Sequence, residues 1–180
     1  MILFCVWSGC GVKTSFEKED MIWLPYEKGD TLIFRSGDRT DTTIILEKEI
    51  WYSEYNPVEQ HDSYNPLLGH VYYYNKNVPH IGTGKTLIEL RKVDPEKPAN
   101  VVIDYYNNSF FSTKDSFVRM SQPLKIEGNT YTNVIKIEMA DKGYQPATSE
   151  SPKIIYWAKG IGIVQYITYA GEVWTLVRQI

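Results

Sequence analysis

Gly82-Thr83-Gly84-Lys85-Thr86 carries the residue types of a phosphate loop, in which a lysine and a hydroxyl opening a helix hold phosphate and magnesium. The spacing does not complete that motif: its first glycine belongs where Pro79 stands, and Leu87 to Val93 alternates as a strand does. The segment therefore reads as a glycine-rich turn entering a strand. The histidines are His61, His70 and His80, with Asp62 beside the first, and no HxxxH, HxH or Cys/His spacing gathers them as metal ligands. No metal and no other cofactor is expected. For hydrolysis there is no G-x-S-x-G elbow, and from Met21 onward the chain has no cysteine to act as a nucleophile. Asp104, inside the apolar Val101–Tyr106 run, is the carboxylate the pattern comes nearest to burying. Alternation puts it opposite Ile103 on the wetter face, and the second carboxylate of a glycosidase pair is not evident. No catalytic residue emerges, and a protein of non-enzymatic type is expected.

The remaining chemistry lies at the two ends of reactivity: a thiol and the aromatic rings. Cys5 and Cys10 are the only cysteines. Met1 to Trp7 is almost wholly apolar and is followed by Ser8-Gly9-Cys10, and small residues before a Cys at the end of a short apolar stretch suit a lipoprotein signal peptidase. That reading makes Cys10 the lipidated first residue of the mature protein, with residues 1–10 a truncated signal segment. Trp7 stands where Leu, Val or Ile is usual, and no Lys or Arg precedes the apolar stretch, as follows if the signal peptide begins upstream of Met1. The alternative is a first core strand over Ile2–Trp7 with Cys10 a buried thiol. Residues 11–20 lack hydrophobic periodicity and read as a polar tether. Gly11 is not the Asp of inner-membrane retention, so the expected location is the outer membrane, lipid-anchored.

Aromatic side chains are abundant: 14 Tyr, 6 Phe and 5 Trp. Tyr72 and Tyr74 fall on one face of a strand with Tyr73 on the other, and Tyr105-Tyr106 and Tyr156-Trp157 repeat the doublet. Rings that are apolar in body and polar at the tip suit a binding surface. Tyr72, Tyr74 and Trp157 are accordingly the expected lining of a concave ligand-binding face, the alternative being aromatic cross-strand pairs that serve stability.

The elements that must position these groups are strands. Of 180 residues 43% are hydrophobic and 23% charged, which fits one globular domain, here residues 21–180. A net charge of −3 lacks the cationic excess that nucleic-acid binding requires, and no run approaches the roughly 18 apolar residues of a membrane-spanning helix. Short β-branched and aromatic runs alternate with turn signals such as Gly29-Asp30, Ser36-Gly37-Asp38 and Asp94-Pro95. Ten strands are expected, among them Tyr131–Met139 and two hairpins turning at Gly128-Asn129 and Ala170-Gly171. In the last hairpin Ile161, Ile163, Ile167 and Tyr169 fall to one side, and Gly160 and Gly162 mark a bulge or bend. The predicted fold is mostly β, an antiparallel meander forming a curved sheet, half-barrel or lipocalin-like barrel. The 53–68 segment, with Tyr55, His61 and Tyr64, is a long polar loop.

Leu24-Pro25-Tyr26-Glu27-Lys28-Gly29-Asp30, the Leu32–Ser36 run, Tyr131-Thr132-Asn133-Val134-Ile135, and Tyr156 to Val164 with Trp174-Thr175-Leu176 together resemble the uncharacterised envelope lipoproteins of Bacteroidota-type Gram-negative bacteria. The resemblance covers most of the body, through structural punctuation rather than catalytic motifs. It implies an envelope lipoprotein, with a curved antiparallel sheet similar to lipoprotein-carrier or lipocalin-like architectures. The function expected is binding of an apolar or amphipathic ligand, or of an envelope partner protein, through the curved sheet, with the membrane held by the lipid. The alternative is a structural or assembly subunit of an envelope or surface complex.

Overall fold

The computed structural model describes residues 14–53, 66–75, 84–106, 108–109, 119–120, 123–126, 128–138 and 148–180. A four-residue helix, α1 (Lys18–Met21), precedes β1 (Thr31–Ser36), β2 (Arg39–Tyr52), β3 (Leu67–Asn75), β4 (Lys85–Lys92), β5 (Asn100–Tyr105) and β6 (Asn108–Ser109). There follow β7 (Arg119–Met120), β8 (Leu124–Ile126), β9 (Asn129–Tyr131), β10 (Val134–Glu138), β11 (Pro152–Ala158), β12 (Gly162–Thr168) and β13 (Val173–Gln179). Eleven strands form one sheet in the order β6-β5-β4-β3-β2-β1-β13-β12-β11-β10-β7, while β8 and β9 pair apart from it. Two meanders are thus joined where β1 lies antiparallel to β13, with Leu32 opposite Gln179 and Arg35 opposite Thr175. Among the described residues, the first and last strands meet in the middle of the sheet.

This antiparallel sheet curls into a half-barrel. Tyr105 on β5 and Tyr166 on β12 have five strands between them in the sheet order, yet their ring centroids lie 5.5 Å apart. Register shifts at Ile45/Glu47, Val71/Tyr72 and Tyr156/Trp157 supply bulges of the kind that increase local bend and twist. Alternation sets the two faces: on β3, Val71, Tyr73 and Asn75 are buried inside, His70 and Tyr72 are half-buried outside, and Tyr74 is exposed. Trp157, Tyr26, Tyr73, Tyr105, Tyr166 and Phe34, each less than 2% exposed, fill the inside.

The chain from Thr14 to Tyr26 plugs one end of the half-barrel, where sequence periodicity suggests only a tether up to residue 20. Leu24 and Phe16 lie over Gly69, where an added Cβ would come within 2.8 Å of the Leu24 side chain. Tyr52 donates a 2.7 Å hydrogen bond to the Thr14 carbonyl. Asp20 accepts from Lys92 at 2.8 Å and from the Ala99 amide at 2.9 Å. A polar segment is held here by polar contacts, which hydrophobic spacing does not register.

Three local expectations are corrected. The predicted Tyr131–Met139 strand breaks at Thr132-Asn133, leaving β9 to pair with β8 and β10 to join the main sheet. Ile126 faces Asn129, so that hairpin turns one residue earlier than Gly128-Asn129, with Gly128 at φ 87°. On β12 the buried set is Ile163, Val164, Tyr166 and Thr168, while Ile161 and Tyr169 are exposed. The bulge opposite Tyr156/Trp157 resets the alternation after Ile163.

Gly160 and Gly162 both adopt positive φ, as the bend expected there requires. Gly162 also makes room for a ring: Tyr26 accepts the Ile163 amide at 2.7 Å, and a Cβ on Gly162 would lie 2.0 Å from that hydroxyl. Gly162→Ala must displace Tyr26 and strain a φ of 102°. A loss of about 2–3 kcal/mol in urea-unfolding free energy is expected, against about 1 kcal/mol for Gly37→Ala, where the left-handed φ of 57° is strained for alanine but the space around it is open.

Candidate functional site

The half-barrel end opposite the Thr14–Tyr26 plug is built around a carboxylate. Asp41, 1% exposed, lies on the inner face of β2 in line with Thr43 and Ile45. Its Oδ2 accepts hydrogen bonds from the Tyr106 hydroxyl at 2.6 Å and the Tyr166 hydroxyl at 2.7 Å, and its Oδ1 accepts from Asn75 Nδ2 at 2.9 Å. Asn75 also donates to Thr43 Oγ1 at 2.9 Å, and Thr43 meets the Tyr105 hydroxyl at 3.0 Å. One buried network thereby ties β2 to β3, β12 and the end of β5.

Tyr106 reaches the network through an unusual backbone. It has φ 56°, the single positive-φ residue besides glycine among the described residues. The left-handed conformation costs a non-glycine residue about 1–2 kcal/mol. It follows the buried Tyr105 directly, so a continuing strand would turn it to the other face; instead the kink leaves its hydroxyl on Asp41. The Tyr106 amide donates to the Tyr73 hydroxyl at 2.9 Å, which holds the strained turn. Burial pushes the Tyr105, Tyr106 and Tyr166 hydroxyls well above the ordinary tyrosine value, with the charge of Asp41 adding to it. They remain neutral hydrogen-bond donors, unsuited to act as a base.

A cleft of about 280 Å³ opens over this floor. Asp41, Tyr106 and Tyr166 line its base, and Thr40, Glu150 and the Arg39, Glu172, Trp174 group complete it. Trp174 stacks on Tyr166 with centroids 5.9 Å apart and planes 9° from parallel. The Arg39 guanidinium lies 5.1 Å from the Trp174 ring centroid and forms an ion pair with Glu172. Exposed ion pairs and cation–π contacts each contribute at most about 1 kcal/mol, and holding an arginine still opposes them. Arg39 is a weakly held cover over the indole.

The expected site residues are not brought together. Tyr72 and Tyr74 stand on the outer face of β3, while Trp157 is fully buried on the inner face. Trp157 packs against Trp23 and Tyr26 with centroids 5.9 and 6.0 Å away, and its indole N–H has no hydrogen-bond partner among the described residues. The shared concave face fails because Tyr72 and Tyr74 have the wrong parity: Tyr73 occupies the inward position between them. Tyr72 instead meets His70, its hydroxyl 3.1 Å from Nδ1, beside Trp51. Burial lowers the His70 pKa, and Glu89 and Glu49 oppose that shift.

Lys85 and Thr86 open β4 as the reading of a turn entering a strand expects, with Gly84 at φ 62°. Gly82, Thr83, Cys5, Cys10, His61 and His80 lie outside the described residues. Among the described residues no three His, Cys, Asp or Glu side chains converge to hold a metal ion. Asp41 escaped the sequence reading because the predicted strand began after it, at Thr42. An Asp in an otherwise β-branched strand, where Asp is disfavoured, was the available signal. Compared with protein-family models, curated proteins and solved structures, the chain matches none.

Proposed function

We propose that the chain is a lipid-anchored envelope protein of non-enzymatic type, with Cys10 as the anchor and the half-barrel as a binding module that meets its ligand at the Asp41 end. The observation that carries this reading is the contrast between the two places a ligand could go. Inside the curl, six large rings occupy the positions a carried lipid would need. At the Asp41 end, buried donors, carboxylates and an indole border an open cleft, the mixture of apolar wall and few placed polar groups that small-ligand sites use. A second reading, an assembly subunit docking through the outer face, is favoured by Leu46 and Tyr74, which are exposed there.

Two measurements test the proposal. Expressed from its native start, the protein is expected in the outer-membrane fraction, and Cys10→Ser is expected to release it or leave it unprocessed. Soluble, unlipidated wild-type protein under those conditions would exclude the anchor. A native mass spectrum of the Cys10→Ser protein, taken without detergent, is expected to show the bare polypeptide. A fatty acid, phospholipid or sterol bound one to one would return the function to apolar carriage.

A further inference from the structure

We infer that the Asp41-end cleft binds a guanidinium group, and that Arg39 is a built-in occupant which the ligand displaces. This rests on the cleft being the binding site and adds the class of its ligand. Arg39 makes two contacts at once, with the face of Trp174 and the carboxylate of Glu172. Those are the two features by which a planar guanidinium is recognised: a flat π surface to stack on and an oxygen pair matched to its fork of N–H donors. An ammonium ion can use the charge but not the fork.

The surroundings extend the same preference. Among the described residues, three carboxyl side chains, Asp41, Glu150 and Glu172, border the cleft against the one guanidinium of Arg39. When Arg39 swings out, the cleft is left with acidic groups and a bare indole, and an incoming cation replaces what left. The Arg39 side chain is 56% exposed, so the swing is into water and disturbs no core packing. Trp174, in contrast, is held by its stack on Tyr166, whose hydroxyl is fixed on Asp41. The receiving surface is packed on the buried network and its cover faces water, the arrangement that lets a ligand bind without refolding the site.

The source of the guanidinium is either a free guanidino compound or an arginine displayed by a partner. The full chain, labelled with ¹⁵N, is to be titrated with methylguanidine at low millimolar concentration, with a Gly-Arg-Gly peptide, with methylammonium, with neutral monosaccharides, and with sodium chloride at matched ionic strength. Methylguanidine is expected to shift the Trp174 indole and the Tyr106 and Tyr166 amides saturably, and methylammonium at least tenfold more weakly. Arg39→Ala, which should melt within a few degrees of wild type, is expected to bind methylguanidine at least fivefold more tightly, and Glu172→Gln at least fivefold more weakly. A peptide affinity well above that of methylguanidine assigns the group to a partner's arginine, and equal affinities assign it to a free compound. Shifts that sodium chloride reproduces, or Arg39→Ala binding no more tightly than wild type, would overturn the inference. If neutral monosaccharides move the same resonances and methylguanidine does not, the cleft remains the site and only its ligand class is wrong. If nothing moves them, both readings fall.

Discussion

Replacing Asp41 with Ala is expected to lower the unfolding free energy by about 3–5 kcal/mol, since it strips the acceptor from three buried donors at once. Tyr106, Tyr166 and Asn75 all point at this carboxylate. Asn75 and Tyr106 are 3.2 Å apart and Asn75 keeps Thr43, so part of the network can re-pair, which holds the loss below three full desolvation penalties. Tyr166→Phe removes a single bond to a charged acceptor and is expected to cost about 1.5–3 kcal/mol. Urea unfolding followed by circular dichroism measures both. A change under about 1 kcal/mol for Asp41→Ala would mean that the network does not hold the curl closed. A reduced m-value alongside the lost stability would show that the half-barrel has loosened in the native state.

Asp20→Ala is expected to cost a similar amount, about 3–5 kcal/mol, because Lys92 is left charged and buried without its partner. Lys92 is 2% and Asp20 4% exposed, and their ion pair spans 2.8 Å. Replacing both together, Asp20→Leu with Lys92→Met, is expected to recover most of the loss, and the double-mutant cycle gives the coupling. The pair also sets a pH dependence. Burial alone would raise the Asp20 carboxyl, but hydrogen bonds from Lys92, Ala99 and Glu17 outweigh it and hold the pKa below the ordinary 3.8. A carboxyl lowered by folding adds stability that is complete above its unfolded value, near pH 4, and is lost as pH falls through the folded value. Wild type should therefore lose stability below pH 4 more steeply than Asp20→Leu/Lys92→Met does. Parallel acid profiles would show that Asp20 does not set the acid dependence.

Strand positions were legible in the sequence wherever one face is buried and the other wet. The β1, β3 and β12–β13 segments carry β-branched and aromatic residues between glycine and aspartate turns, and the structure places strands there. Features that depend on residues distant in sequence were not legible. The pairing of β1 with β13 joins opposite ends of the chain. The docking of Thr14–Asp20 depends on Lys92 and Ala99, and the inward turn of Tyr106 depends on a backbone kink that Tyr73 stabilises. The candidate site failed for the same reason. The Tyr105-Tyr106 doublet was visible, but Asp41, the acceptor for the Tyr106 hydroxyl, lies 65 residues away from it. Tyr72 and Tyr74 were given a concave face by the presence of rings, whereas the parity of β3 gives that face to Tyr73.

Under the proposed function, ligands are expected to meet this protein at the Asp41 end and not within the curl. A ¹⁵N-resolved titration of the full chain with four ligand classes, namely guanidino compounds, amines, monosaccharides and fatty acids, tests it by location. Saturable shifts confined to Trp174, Tyr106, Tyr166 and Glu150 are the expected result. Shifts centred on Trp157, Tyr73 and Tyr26, produced by the fatty acids, would contradict it and place the ligand among the core rings.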